Sequence, residues 1–317
     1  MQENLTFGHV AELWKEAKRN VVKRSTFCAY ALIIQSHLLP AFDKSTVISE
    51  REAQQFVFDK LAAGLSRKSV HDIVAVLKSI VKFGGKHSLF PASQWDIAYP
   101  TESEHKKLPV LSLADHRKLL NHLTESPTPQ NIGIMLALCT GLRIGEVCAL
   151  RWAEIDFVRR IVIVSGTVGR IYNCEKKATE HYASTPKTRT SNREIPISAP
   201  LLRTLRLIKK QQAGAAYVVG DGTKPKEPRT YRETFSRLLR RLKIPPIVFH
   251  GLRHTFATRC IESGCDYKTV SVILGHSNVA TTLNLYVHPN IDQKKRCIDR
   301  LNKFLRFENT FNIDSQE

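Results

Sequence analysis

The sequence predicts a mainly helical chain with one small antiparallel β-sheet, an α+β fold in two parts. Three observations lead there. Apolar residues recur at helical spacing in four successive runs across residues 1–90. A polar, proline-bearing stretch over 91–107 then breaks the pattern. Beyond it, helical runs enclose a single cluster of short β-branched segments between Arg160 and Ile197. A length of 317 residues also suits two domains, at ~100–200 residues each.

The first run joins Phe7, Val10, Leu13 and Trp14. The second joins Tyr30, Ile33, Ile34, Leu38 and Leu39, and Pro40 is expected to stop it. The third holds Ala53, Phe56, Val57 and Leu61 and ends at Gly64. The fourth runs from Val70 through Ile73, Val74, Leu77, Ile80 and Val81 to Gly84-Gly85. Each has the spacing of one buried stripe, and four such helices predict a helical bundle over 1–90. Lys15, Lys18, Arg19, Lys23 and Arg24 lie on or beside its first helices, as either a solvated face or a surface for nucleic acid.

Pro91, Pro100 and the polar run from Thr101 to Lys107 read as a linker, 91–107, before a second domain over 108–317. That domain opens on Ser112-Leu113-Ala114-Asp115, an N-cap serine with an acidic residue at N3. A helix over Ile132–Leu138 breaks at Thr140-Gly141, and a short one follows from Ile144 to Leu150. Arg160–Val164 reads as a strand, with a second expected near Tyr182–Thr185. Arg193–Ile197 reads as a third, on an edge because it contains Pro196. The remainder is helical: Pro200–Gln212, Tyr231–Leu242, Leu252–Ser263, Tyr267–Leu274, Val279–Tyr286 and Ile291–Phe304.

Composition narrows the function. There are 48 Lys and Arg against 29 Asp and Glu, a formal net charge of +19. Of this, +4 falls in residues 1–107 and +15 in residues 108–317. Such an excess points to a polyanionic partner, nucleic acid first and an acidic membrane face second. No run of about 18 apolar residues predicts a transmembrane helix, and Met1–Phe7 lacks the pattern of a secretory leader. Seven cysteines, an odd number without a C-x-x-C, read as reduced thiols in a cytoplasmic protein. No P-loop and no paired-carboxylate metal constellation occurs, so neither a nucleotide cofactor nor a metal is expected.

Four separated segments remain to be explained: Thr140-Gly141-Leu142-Arg143-Ile144-Gly145-Glu146, Thr185-Pro186-Lys187-Thr188, His250-Gly251-Leu252-Arg253-His254, and Leu274-Gly275-His276-Ser277 running on to Tyr286. In this order they resemble the tyrosine recombinase (phage integrase) family, whose pattern is Arg, a Lys in a β-turn, H-x-x-R, His or Trp, then Tyr. Arg143, Lys187, His250, Arg253, His276 and Tyr286 match all six positions. The resemblance covers about 200 residues and implies a tyrosine-recombinase catalytic domain over 108–317, preceded by a helical, SAM-like core-binding domain over 1–90.

These residue types suit metal-free phosphodiester chemistry. The resemblance makes Tyr286 the nucleophile, giving a 3′-phosphotyrosine link and a free 5′-hydroxyl. A phenol with a pKa of about 10 needs a neighbouring base and cations to react at neutral pH. Arg143 and Arg253 would clamp the phosphate through paired, charge-assisted hydrogen bonds. His250, three residues before Arg253 at a helix start, would accept the tyrosyl proton or position the phosphate. Lys187 would protonate the departing 5′-oxygen, although Lys176, Lys177 and Arg189 lie in the same basic segment. His276 would donate to a nonbridging oxygen. His254 and His288 read as supporting residues, and Glu146 as a buttress of Arg143 or of a helix end.

The expected function is a site-specific recombinase that integrates and excises a mobile element, with a DNA invertase or a Xer-like dimer resolver as alternatives. The expected partners are double-stranded recombination sites and a homotetramer on DNA, with a directionality factor as a further candidate and no membrane. In that tetramer the tail helix, with Ile291, Cys297, Ile298, Leu301 and Phe304, would dock on a neighbouring protomer. From a different class, Thr255–Leu274 also reads as a helix-turn-helix of a non-catalytic regulator. That reading accounts for the charge but not for Arg143, Lys187 and Tyr286 together. A relaxing topoisomerase with the same phosphotyrosine chemistry is a further alternative.

Overall fold

A computed structural model of the chain describes residues 5–101, 109–173, 178–184, 192–220, 223–276, 278–283, 295 and 298–303. It divides into two compact units, one of Met1–Lys106 with Arg170–Tyr182, the other of Lys107–Gly169 with Ala183–Glu317.

The first unit is the expected bundle. Its helices are α1 (Phe7–Arg19), α2 (Arg24–Ile33), α3 (Leu39–Phe42), α4 (Glu50–Ala62) and α5 (Arg67–Lys86). The apolar stripes meet in one core of Phe7, Val10, Trp14, Ile34, Leu38, Phe42, Phe56, Val57, Leu77 and Ile80. Phe42 stands between Phe7 and Phe56, at centroid distances of 6.0 and 5.1 Å. Ser49 and Glu52 form a reciprocal capping box at the start of α4.

Two expected stops behave otherwise. Pro40 does not end its helix, because α2 passes through a π-helical turn, Ile34–Leu38, directly into α3. There the Leu39 N–H donates to the Ile34 carbonyl, five residues back. The widened turn accommodates a proline, which lacks an N–H and crowds the carbonyl four residues before it. The resulting stretch, Arg24–Phe42, is long and apolar enough by length and composition to cross a membrane, a test that the core helix of a folded domain also passes. Its Ile34, Leu38 and Phe42 are nevertheless committed to the core of this unit. Likewise Gly84-Gly85 do not end α5, which continues to Lys86. Gly84 serves a close approach, since a Cβ there would come within 2.6 Å of Phe90 Cβ.

Within the stretch 91–107 expected as a linker, Trp95 and Ile97 are buried in the bundle core. Gln54 exchanges two hydrogen bonds with the Ala98 backbone, at 3.0 and 2.9 Å, and Lys78 Nζ donates to the Trp95 carbonyl at 2.9 Å. Residues 102–107 lie outside the described residues. Of the basic residues on the first helices, Lys15 pairs with Glu12, Arg19 with Glu16 and Arg24 with Glu180, while Lys18 lies over the Trp14 ring.

The second unit carries α6 (Leu113–Glu125), α7 (Pro129–Thr140), α8 (Ile144–Ala149), α9 (Ala199–Gln211), α10 (Pro228–Arg241), α11 (His250–Glu262), α12 (Tyr267–Leu274) and α13 (Ala280–Leu283). Helix α7 is buried on every side from Asn131 to Leu138, as its continuous apolar run requires. A three-stranded antiparallel sheet of β1 (Ile155–Asp156), β2 (Ile161–Val164) and β5 (Arg193–Pro196) has β2 at its centre. Val162 pairs with Ile195 and Ile161 with Pro196, which places the proline on an edge as expected. A separate pair is formed by β3 (Thr167–Asn173) and β4 (Ala178–Ser184), most of which belongs to the first unit; β4 overlaps the strand expected near Tyr182–Thr185, and β3 is a strand that the sequence pattern does not announce. Residues 298–303 of the expected tail helix are helical.

Candidate active site

Arg143, His250, Arg253 and His276 come together in the second unit, each placed by the end of a helix. Helix α7 stops at Gly141, whose φ of 70° is the left-handed conformation that glycine adopts without steric cost. The chain then turns into α8 with Arg143 as N-cap. His250 opens α11, and Arg253 follows one turn later. Helix α12 ends on Gly275, at φ 67°, and His276 comes next.

Both arginines converge on the end of α12. Arg143 Nη2 donates to the Gly275 carbonyl at 3.2 Å, and Arg253 Nη2 to the adjacent Leu274 carbonyl at 2.7 Å. Arg253 Nη1 also holds the Gly141 carbonyl at 2.9 Å, tying the ends of α7 and α12 together. The two guanidiniums differ in access. The Arg143 side chain is 36% exposed, whereas Arg253 is 2% exposed. Burial and the charge of Arg143 lower the Arg253 pKa to about 9, so it stays charged at neutral pH.

Glu146 buttresses Arg143 directly. Its Oε2 accepts from the Arg143 backbone N–H at 2.8 Å and its Oε1 from Arg143 Nη1 at 2.9 Å. A second arginine, absent from the sequence-based set, shares the same carboxylate. Arg193 forks onto it through Nη1 and Nη2, both at 3.0 Å, from the first residue of β5. The alternation of the strand contained the signal: Arg193 lies in phase with Ile195 and Ile197, both buried, and an inward arginine requires a buried acid. Burial raises the Glu146 pKa, but the Arg193 hydrogen bonds and the charges of Arg193 and Arg143 outweigh it and hold the carboxyl below its usual range.

The histidines are held neutral. Burial, then the charges of Arg253 and Arg143, push His276 down to about 4 and His250 down from its ordinary value. His254 packs edge-on against His250, centroids 4.5 Å apart, and burial with the charges of His250 and Arg253 takes it to about 4. Neither ring nitrogen of His254 has a hydrogen-bond partner among the described residues. The site therefore offers fixed cations beside imidazoles that can accept a proton. Lys187 and Tyr286 lie outside the described residues. Among the described residues, no group of three or more His, Cys, Asp or Glu is placed to hold a metal ion.

Comparison with known proteins places the chain in a family. The model of the phage integrase family matches residues 109–293, and that of the phage integrase N-terminal SAM-like domain matches residues 6–58. The chain is 27% identical to a "Tyrosine recombinase XerC-like" protein of Caldanaerobacter subterraneus subsp. tengcongensis, covering 95% of this chain and 83% of that one. It is also 27% identical to the ICEBs1 integrase of Bacillus subtilis, over 86% of this chain and 76% of the relative. In fold it resembles the Tn1549 transposon integrase bound to circular intermediate DNA, with a TM-score of 0.75, 24% identity and coverage of 94% of this chain and 100% of that one. It also resembles a lambda integrase tetramer bound to a Holliday junction, with a TM-score of 0.65, 17% identity and coverage of 90% and 78%. A family model spanning more than half of the sequence, over the unit that gathers Arg143, His250, Arg253 and His276, makes this chain a member of the phage integrase family.

Proposed function

We propose that the chain is a site-specific recombinase that cleaves and rejoins duplex DNA through Tyr286. The observation that carries the reading is the convergence of Arg143 and Arg253 on consecutive carbonyls at the end of α12, beside neutral His250 and His276. The open Arg143 meets a scissile phosphate directly, and Arg253 adds a second positive charge from beneath. In comparable oxyanion sites a donor that reaches the phosphate, as Arg143 would, contributes about 3–4 kcal/mol to the transition state.

The tyrosyl oxygen attacks phosphorus, and the bond from phosphorus to the 5′-oxygen breaks. His250 takes the phenolic proton, His276 donates to a nonbridging oxygen, and Lys187 gives a proton to the departing 5′-oxygen. The link between Tyr286 and the 3′-phosphate keeps the phosphodiester energy, so attack by another strand's 5′-hydroxyl reseals DNA without ATP. No cofactor is required. Arg229, Arg232, Arg237 and Arg240 line an open groove along α10 and suit phosphates beyond the cleavage point.

Two domains acting on one duplex, 1–90 and 108–317 with 91–107 between, remain the proposed organisation. A homotetramer on DNA is the proposed assembly, with exposed Ile298 and Leu301 of the tail docking in trans. The names of the ICEBs1 and Tn1549 relatives favour integration and excision of a mobile element, and that of the XerC-like relative keeps dimer resolution as the second reading.

The test uses nicked duplexes made from the DNA flanking this gene on either side. The wild-type protein should form a covalent adduct that denaturing gels preserve. Tyr286→Phe should bind the same duplexes and form none. Wild-type protein that binds these duplexes but leaves no adduct on any of them refutes the proposal.

A further inference from the structure

The structure assigns Arg193 a part in catalysis that the six-residue motif does not contain: we infer that it is a positioning residue that leaves the charge of Arg143 free for phosphate. The inference rests on the proposed strand-cleavage chemistry. The Glu146 carboxylate accepts four hydrogen bonds, two on each oxygen. Oε1 takes Arg143 Nη1 and Arg193 Nη1, and Oε2 takes the Arg143 N–H and Arg193 Nη2. Its lone-pair sites are thus filled by two arginines of different character. The Arg193 and Glu146 side chains are both 5% exposed, whereas that of Arg143 is 36% exposed.

Charge arithmetic follows from this geometry. Glu146 with Arg143 alone makes a neutral pair, a poor partner for an incoming phosphodiester. Adding Arg193 returns the group to a net charge of +1, and the more open of its two guanidiniums is that of Arg143. The fork geometry matters as well. Two parallel bonds from a planar guanidinium fix the carboxylate plane, which a lysine cannot do. The plane then fixes Arg143 through both its side chain and its backbone N–H. Arg193 Nε meanwhile donates to the Ile273 carbonyl at 2.6 Å, in the last turn of α12, two residues before the Gly275 carbonyl that Arg143 grips. One buried side chain therefore sets both the carboxylate and the helix end between which Arg143 is held. Arg193 also stands six residues after Lys187 in the chain, at the start of an edge strand.

The experiment measures single-turnover adduct formation on a saturating nicked duplex, together with affinity for that duplex and thermal unfolding. Arg193→Lys keeps the charge but not the fork. It is expected to slow cleavage by ~10²-fold, the cost of misplacing a reacting group by about 1 Å, while duplex affinity changes by less than about threefold. Against a Glu146→Gln background, Arg193→Lys should slow cleavage no further, because its effect runs through that carboxylate. A folded Arg193→Lys protein that cleaves at the wild-type rate overturns the inference, as do losses that multiply in the double variant.

If Arg193→Lys fails to fold, the Glu146→Gln, Arg193→Met pair takes its place, since removing both buried charges spares the fold the cost of an unpaired ion. That double variant should cleave as slowly as Glu146→Gln alone, and a further tenfold loss overturns the inference. Absence of an adduct with the wild-type protein instead refutes the recombinase reading, so the two failures are distinct.

Discussion

Replacing Gly141 by alanine tests the helix end on which Arg253 is anchored. The residue sits at φ 70°, where an L side chain is strained by about 1–2 kcal/mol. The new methyl group also has no room: an ideal Cβ lies 2.5 Å from Leu274 Cδ2 and 2.7 Å from Phe256 Cδ1. Overpacking of this kind adds roughly 1–3 kcal/mol, giving a loss of about 2–5 kcal/mol in all. Gly214 supplies the control within the same unit, because its φ of 86° imposes the backbone strain with nothing within 4 Å of a Cβ. Gly214→Ala should therefore lose only about 1–2 kcal/mol. At about 2–4 °C per kcal/mol for a domain of this size, a 3 kcal/mol loss lowers Tm by about 6–12 °C, and the control by about half of that. Calorimetry or circular dichroism of the two variants measures the difference. Gly141→Ala should also slow adduct formation, because the Gly141 carbonyl accepts from Arg253. Equal Tm losses in the two variants would show that packing against Leu274 and Phe256 is not what demands glycine at 141.

Two further outcomes follow from buried polar groups. Thr255 is fully buried, accepts from the Leu111 N–H at 3.1 Å and donates to the Gly251 carbonyl at 2.7 Å. Thr255→Val orphans that N–H and should cost about 1–3 kcal/mol in a urea titration, and a loss under about 0.5 kcal/mol would contradict it. His254, at about 4 when folded and about 6.5 unfolded, takes up protons in the unfolded chain first. Stability should thus fall as pH drops from about 6.5 toward 4 and level off below, with His276 acting in the same direction. His254→Phe should flatten this decline in urea midpoints measured across that window, and an unchanged slope would exclude His254 as a contributor.

Where one physical rule governs a segment, the sequence reads well. The stripe of α1, the N-cap Ser112 and the left-handed stops at Gly141 and Gly64 depend on local spacing alone, and all were legible. Pro40 misled because the rule for proline assumes an α-helical turn, whereas the chain widens to a π turn ahead of it. Strand β3 was missed because Thr167–Asn173 mixes Gly, Arg and Asn among its β formers, so its pattern is no stronger than that of a loop. The site was legible as a set of residue types in order. The buttressing of Arg143 by Glu146, three residues on, was legible too, but the part of Arg193 was not, since it depends on residues 47 positions apart meeting in the core. Lys187 and Tyr286 stay as the sequence left them, outside the described residues.

The holding contacts of Arg253, and one of those of Arg143, are made to main-chain carbonyls at Gly141, Leu274 and Gly275. These oxygens belong to helix ends, where the carbonyls carry a partial negative charge and lack a partner within the helix. Main-chain atoms survive any side-chain replacement, so exchanging Leu274 for another apolar residue leaves its carbonyl available to Arg253. Genetic vulnerability at this site is therefore uneven. It concentrates on the charged side chains and on the two glycines whose backbone geometry aims the carbonyls, while Leu274 is held by packing and not by the identity of its carbonyl.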